Sequence, residues 1–151
     1  MAWIDGAYVV NAIGQSQAYR LGLVSAPTGT YTDTSALAQY EAEARGVVAA
    51  VLVYAGYPVP STIAGTEDYA GLLRRLARAI MLRDVYAMRP GIAMPDATAS
   101  MIGVAQGELN AVYEKRLPVP GLTPSAIAAI GGVAFSSATS TPLRSLRGST
   151  F

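Results

Sequence analysis

Apolar residues recur along this chain at spacings of three and four, the periodicity of helices with one buried face. Over residues 6–22, Tyr8, Val9, Ala12, Ile13 and Tyr19 supply such positions, with Gly14 weakening the middle and Gly22 a plausible stop. Residues 25–33, rich in Pro, Gly and Thr, read as a loop. Asp33 or Thr34 then stands as N-cap of a long helix from Ala36 to Tyr57, stopped by Pro58-Val59-Pro60. Its apolar face takes Leu37, Tyr40, Ala44, Val47, Val48, Val51, Leu52 and Ala55, with Glu41 and Glu43 expected on the opposite side. No charge occurs from Val47 to Tyr57, which predicts a half-helix buried nearly all round. A run of Val also fits a buried strand, but the continuous periodicity from Leu37 favours helix.

Thr66 suits the N-cap of a third helix, with Glu67 and Asp68 set against its N-terminal dipole. Leu72, Leu73, Leu76, Ala77, Ile80, Met81 and Val85 form its apolar face; Arg74 and Arg78 lie one turn apart on another, and Pro90-Gly91 ends it. Asp96 is expected to cap a fourth helix through about Arg116, with a stripe of Met101, Ala105, Leu109 and Val112 widened by Ile102 and Tyr113. Lys115 and Arg116 suit its C-terminal end, and the Pro-rich run 118–124 terminates it. The prediction is a mainly α fold, a small bundle of about four helices over residues 1–125, followed by an apolar loop and an extended C-terminal arm over 126–151. For part of that arm a short β segment is the alternative.

Residues 126–135 are apolar and contain glycine, whereas 135–151 carry no acid, two Arg, many Ser and Thr, and scattered Phe135, Leu143, Leu146 and Phe151. Such a strip cannot bury enough apolar surface to fold alone. It reads either as a disordered terminus or as an arm that becomes ordered on a neighbouring subunit.

Composition sharpens this picture. The 151 residues suffice for one domain with a real core. Charged residues make up only 14% against the ordinary ~25%, so some surface is expected to be covered by other protein. The net charge of +1 gives no global attraction to nucleic acid. Its distribution is uneven: residues 1–70 hold two cations and six acids, a net of −4, and residues 71–151 hold nine cations and four acids, a net of +5. The opposite halves could attract across a repeating subunit contact or balance within one chain.

Cys and His are both absent, which removes disulfides, thiol nucleophiles, imidazole bases and the usual zinc or haem ligands together. Met1-Ala2-Trp3-Ile4-Asp5 has neither a basic start nor a long apolar run, so no signal peptide is expected. The uncharged stretches Gly46 to Thr66 and Leu117 to Leu143 are broken by Pro and fall short of the roughly 20 unbroken apolar residues a membrane helix needs.

The remaining chemical motifs fail on spacing. Gly131-Gly132 follows no convincing strand and precedes no Lys-Ser/Thr, so it makes no phosphate loop. Glu41 and Glu43, two apart on a helix, diverge, and Glu67-Asp68 is better explained as a helix start. Lys115, the only Lys, has no suitably spaced Ser. No catalytic set, cofactor or metal is expected, and the chain reads as no enzyme. Arg74, Arg75, Arg78 and Arg83 form the densest cationic group. Three roles are open to them: pairing with acids of the second helix, contact with a neighbouring subunit, or facing DNA in a channel.

The order of these elements resembles the head–tail connector (adaptor, or head-completion) proteins of tailed bacteriophages, in particular the connector family of Mu-like phages. The resemblance rests on a short opening helix with Tyr8 that reaches Gly22, then a long helix of small residues ending in Tyr57-Pro58-Val59-Pro60. It continues in LLRRLARAIMLRDVY from Leu72 to Tyr86, the turn Lys115-Arg116-Leu117-Pro118, and a tail with Phe135-Ser136-Ser137, Arg144, Leu146-Arg147-Gly148 and Phe151. This sequence departs from the family in a longer 23–35 loop, a neutral Ala55-Gly56-Tyr57 where the family is more basic, and the apolar segment 126–134.

The resemblance implies a structural protein of the virion neck, made in the bacterial host cytoplasm. Copies would form a homo-oligomeric ring, twelvefold in the family, between the portal and a tail-side neck or terminator protein. The ring would extend the channel for double-stranded DNA without reading its sequence, and would touch no membrane. Phe135, Leu143, Leu146 and Phe151 would anchor the arm on a neighbour, and Arg144 and Arg147 would pair with acidic partner groups. The alternative is a small helical DNA-binding or regulatory module of a mobile element, reading DNA through Gln106, Asn110, Lys115 and Arg116.

Overall fold

Asp5 starts the first helix. Its backbone is extended and its carboxylate accepts a hydrogen bond from the Tyr8 amide at 2.8 Å, satisfying one of the donors that every helix N-terminus leaves open. Five helices follow in a computed structural model that describes residues 3–25 and 35–125. They are α1 (Gly6–Ile13), α2 (Gln15–Arg20), α3 (Ser35–Ala55), α4 (Ala70–Ala87) and α5 (Asp96–Tyr113), and no strand occurs among the described residues. The fold is mainly α, as expected. The 26–34 loop with its Asp33/Thr34 cap, the apolar segment from 126 and the whole arm with Phe135, Leu143, Arg144, Leu146, Arg147 and Phe151 lie outside the described residues.

The opening helix expected over 6–22 is two helices. Gly14 stands between them with φ 83°, a conformation that side chains with a Cβ rarely adopt, so helical backbone stops and restarts there. Val9 and Val10 go inward from α1 and Ala18 from α2, while Ala12 and Tyr19, expected inside, face solvent. The break re-aims the second piece by enough to spoil a single 3.6-residue register.

α4 is the central element. It packs against α3 and against α5, and α3 and α5 also touch. Leu72, Leu73, Leu76, Ala77, Ile80, Met81 and Val85 are all buried as expected, joined by Ala79, Leu82 and Tyr86. Each large apolar side chain buried there stabilises the fold by about 1.5–3 kcal/mol. The helix starts at Ala70 and not at Thr66. Glu67 explains the difference: its carboxylate accepts from the amides of Ala64 and Gly65 at 3.0 and 2.8 Å, closing a turn ahead of the helix. Those amide donors, Ala64 first, hold the Glu67 carboxyl below its ordinary range.

α5 begins with Asp96 inside its first turn, after Pro95 in the cap position. It ends at Tyr113, three residues before the expected Arg116, because Lys115 takes a left-handed backbone (φ 60°) and closes the turn. Thr98, Ala105, Leu109 and Val112 are buried, with Met101 and Ile102 packed at the edge. The chain then doubles back across the bundle end. The Val119 amide donates to the Tyr57 hydroxyl at 3.3 Å, and the Ser125 amide donates to the Gly56 carbonyl at 2.7 Å.

α3 departs furthest from expectation. Leu37, Ala44, Val48, Leu52 and Ala55 are buried as predicted, but the half after Val47 is not enclosed. Val53 is 65% exposed and Tyr54 61%, and Val47, Gly46 and Ala50 are also exposed. Glu41, expected outside, is buried. Neither inversion follows from polarity; both follow from where neighbouring segments lie.

Candidate functional site

Two arrangements use side chains beyond core packing: a polar clasp around Trp3 and the tyrosine-bearing outer surface of α3. Trp3 is 1% exposed, and its polar atoms bind three separate segments. Its amide donates to Glu41 Oε1 of α3 at 2.7 Å, and its indole N–H donates to the Pro60 carbonyl at 3.1 Å. Its carbonyl accepts from Arg74 Nε of α4 at 3.0 Å. Arg74 also donates to the Ile63 carbonyl at 3.3 Å. A buried carboxylate is costly without a donor, and the Trp3 amide supplies one to Glu41. Gly65, at φ 101°, lets this guanidinium lie close: a Cβ there would sit 2.9 Å from an Arg74 nitrogen.

The four arginines singled out by sequence share α4 but not surroundings. Arg74 closes the Trp3 clasp through carbonyl oxygens and not through acids. Arg78 lies over the Tyr8 ring at 4.6 Å, a cation–π contact, and its Nε has no hydrogen-bond partner among the described residues. Arg75 pairs two-pronged with Glu108 of α5, at 3.0 and 2.8 Å. Arg83 is exposed and pairs with its neighbour Asp84 at 2.8 Å. The residues of the DNA-reading alternative are likewise spread: Gln106 bonds Asn110 at 3.5 Å, Arg116 pairs with Glu114, and Lys115 lies in the turn beyond α5.

Sequence reasoning missed the Trp3 clasp, although Trp3 as the sole Trp was a visible signal. It also missed Gln17 of α2, whose amide donates to the Tyr86 hydroxyl of α4 at 2.9 Å. The third omission is the stack of Tyr54 on Tyr113, with ring centroids 4.3 Å apart and planes 12° from parallel. A hydrogen bond that the protonated Tyr113 hydroxyl makes to the Tyr54 side chain is the main reason the Tyr113 phenol titrates above its ordinary value of 10.0. Glu114 and Lys115 border this pair in an open concavity.

Among the described residues no three His, Cys, Asp or Glu gather as metal ligands, and no helix is long and apolar enough to cross a membrane. The arrangement offers an uncharged aromatic and aliphatic contact surface carried on a bundle whose α4 cations are engaged inside the subunit. No family model, curated protein or solved structure matches the chain.

Proposed function

We propose that this chain is a structural head–tail connector of a tailed phage neck. Copies form a ring under the portal, twelvefold by resemblance, with the helical bundle as wall and residues 135–151 as an arm onto a neighbouring subunit. The ring prolongs the DNA channel and presents a surface on which the tail docks. Its work is mechanical and topological, with no bond made or broken.

One observation carries the reading: the order of elements. A broken opening helix runs to Gly22, a long helix rich in small residues ends before Tyr57-Pro58-Val59-Pro60, the Leu/Arg helix follows, and a last helix closes just before Lys115-Arg116-Leu117-Pro118. That succession is the one on which the resemblance to Mu-like connectors rests. The engagement of Arg74, Arg75 and Arg78 within the subunit supports a reading in which these cations hold the bundle together, ahead of contacting DNA. Subunit attraction then falls to the acidic N-terminal and basic C-terminal halves, whose net charges of −4 and +5 suit head-to-tail contact in a ring.

The test deletes residues 135–151. The shortened chain should remain a folded helical protein by circular dichroism, while particles assembled with it fail to attach tails. Tail attachment at the normal rate would refute the arm. Mass measurement of the purified chain, alone and mixed with portal protein, should show a ring-sized species only in the mixture or at high concentration; a monomer under every condition would refute the ring.

A further inference from the structure

We propose that the uncharged segment 126–134 folds back onto the outer surface of α3 in its own chain. The surface is built from exposed Gly46, Val47, Ala50, Val53 and Tyr54, extended by Tyr113 of α5, which stacks on Tyr54. Val47, Ala50 and Tyr54 follow one another at three and four residues and so share one flank of the helix. No charged residue interrupts α3 between Arg45 and its end, and Val53 and Tyr54 present large apolar area to water. Scattered apolar residues on a surface are ordinary; a continuous strip of them marks a docking surface.

What covers the strip is given by where the chain goes. After α5 the backbone crosses the bundle end, past Tyr57, and Ser125 is hydrogen-bonded to Gly56, two residues beyond Tyr54. The next nine residues, AIAAIGGVA, carry no charge and include Ile127, Ile130 and Val133. Their start is thus pinned beside the strip. From Gly56 back to Val47 is nine residues of helix, about 14 Å at 1.5 Å per residue. Nine residues reach about 30 Å when extended and about 14 Å when helical, so the segment spans the strip in either form. An intramolecular tether of this length places the segment at an effective concentration in the millimolar range, far above that of a second molecule in dilute solution. The own-chain segment therefore outcompetes a second copy for the same strip. Residues 135–151 then leave from a fixed point on the wall.

The chain's lack of Cys makes a direct test available. Full-length protein carrying Ile130→Cys is paired with Val53→Cys, or with Val104→Cys as control. Val104 is 60% exposed and nine residues, about two and a half turns, before Tyr113, so it lies on the far side of α5. A disulfide requires Cα atoms within about 7 Å, so mild oxidation reports the docked geometry. The expected result is an intrachain disulfide at Val53 formed roughly tenfold faster than at Val104, unchanged on dilution. Equal rates at the two positions overturn the docking, as do slow rates at both. Disulfide-linked dimers that vanish on dilution also overturn it, and identify a second copy as the occupant. The assay uses purified chain alone, so its outcome is separate from the tail-attachment test of the connector reading.

Discussion

The two halves of α3 break the same rule in opposite directions. The N-terminal half buries Glu41, and the C-terminal half exposes Val53 and Tyr54. At Glu41, Trp3 covers the helix and offers a backbone amide. Around Val53 no described segment lies over the helix, and Val53 and Tyr54 stay exposed. Burial on this helix is thus set by which segment crosses it and which hydrogen-bond donors that segment brings, and residue polarity only sets the energetic consequence.

The largest effect should come from the clasp. Trp3→Ala removes a fully buried ring and the indole bond to the Pro60 carbonyl, and should lower unfolding stability by about 3–5 kcal/mol in urea titration. A loss under about 1 kcal/mol would mean the clasp only covers the core edge. Glu41→Ala leaves the Trp3 amide buried without an acceptor and should lose about 1–3 kcal/mol. Glu41→Gln keeps an acceptor oxygen and should lose clearly less; equal losses would show that charge, and not the hydrogen bond, matters there.

Smaller effects sharpen the other side. Arg75→Ala breaks the pair with Glu108, but both side chains are partly solvated, so the loss should stay at or below about 1 kcal/mol. Tyr54→Phe keeps the stacked ring and removes the hydroxyl that raises Tyr113. Ultraviolet titration should then show Tyr113 ionise earlier than in the parent chain. In the parent chain the raised phenol contributes stability that is complete below its unfolded pKa and lost as pH rises through the folded one. Late ionisation that persists in Tyr54→Phe would place its cause elsewhere.

Glu67 gives the smallest effect and the opposite sign. Its carboxyl is lowered, so its contribution is present above the unfolded value near 4.5 and fades as pH falls through the folded value. Glu67→Gln should therefore lower stability slightly at neutral pH, leave it unchanged in acid, and so flatten the acid limb of the stability-versus-pH curve. An acid limb identical to the parent would remove Glu67 from the account of the turn.

Much of the bundle was legible in the residue pattern. The face of α4 from Leu72 to Val85 and the α5 stripe of Ala105, Leu109 and Val112 appear where their spacing puts them, because a helix with one strong apolar stripe has one stable orientation. The helix ends were less legible. Thr66 looked like a cap, but Glu67 binds the amides of Ala64 and Gly65 and delays the helix to Ala70. A side-chain cap and a side-chain turn use the same residue types, and only the backbone path separates them.

The mainly helical class, the core of α4 and the helix stops ahead of Pro58 and Pro90 are written in the residue pattern, because periodicity and backbone sterics act locally. That Glu41 lies inside, that Val53 and Tyr54 lie outside, and that Arg74, Arg75 and Arg78 are engaged within the chain follows from packing alone. Those outcomes depend on partners far away in sequence, such as Trp3 with Glu41 or Tyr54 with Tyr113, and no local pattern encodes which distant segment will arrive.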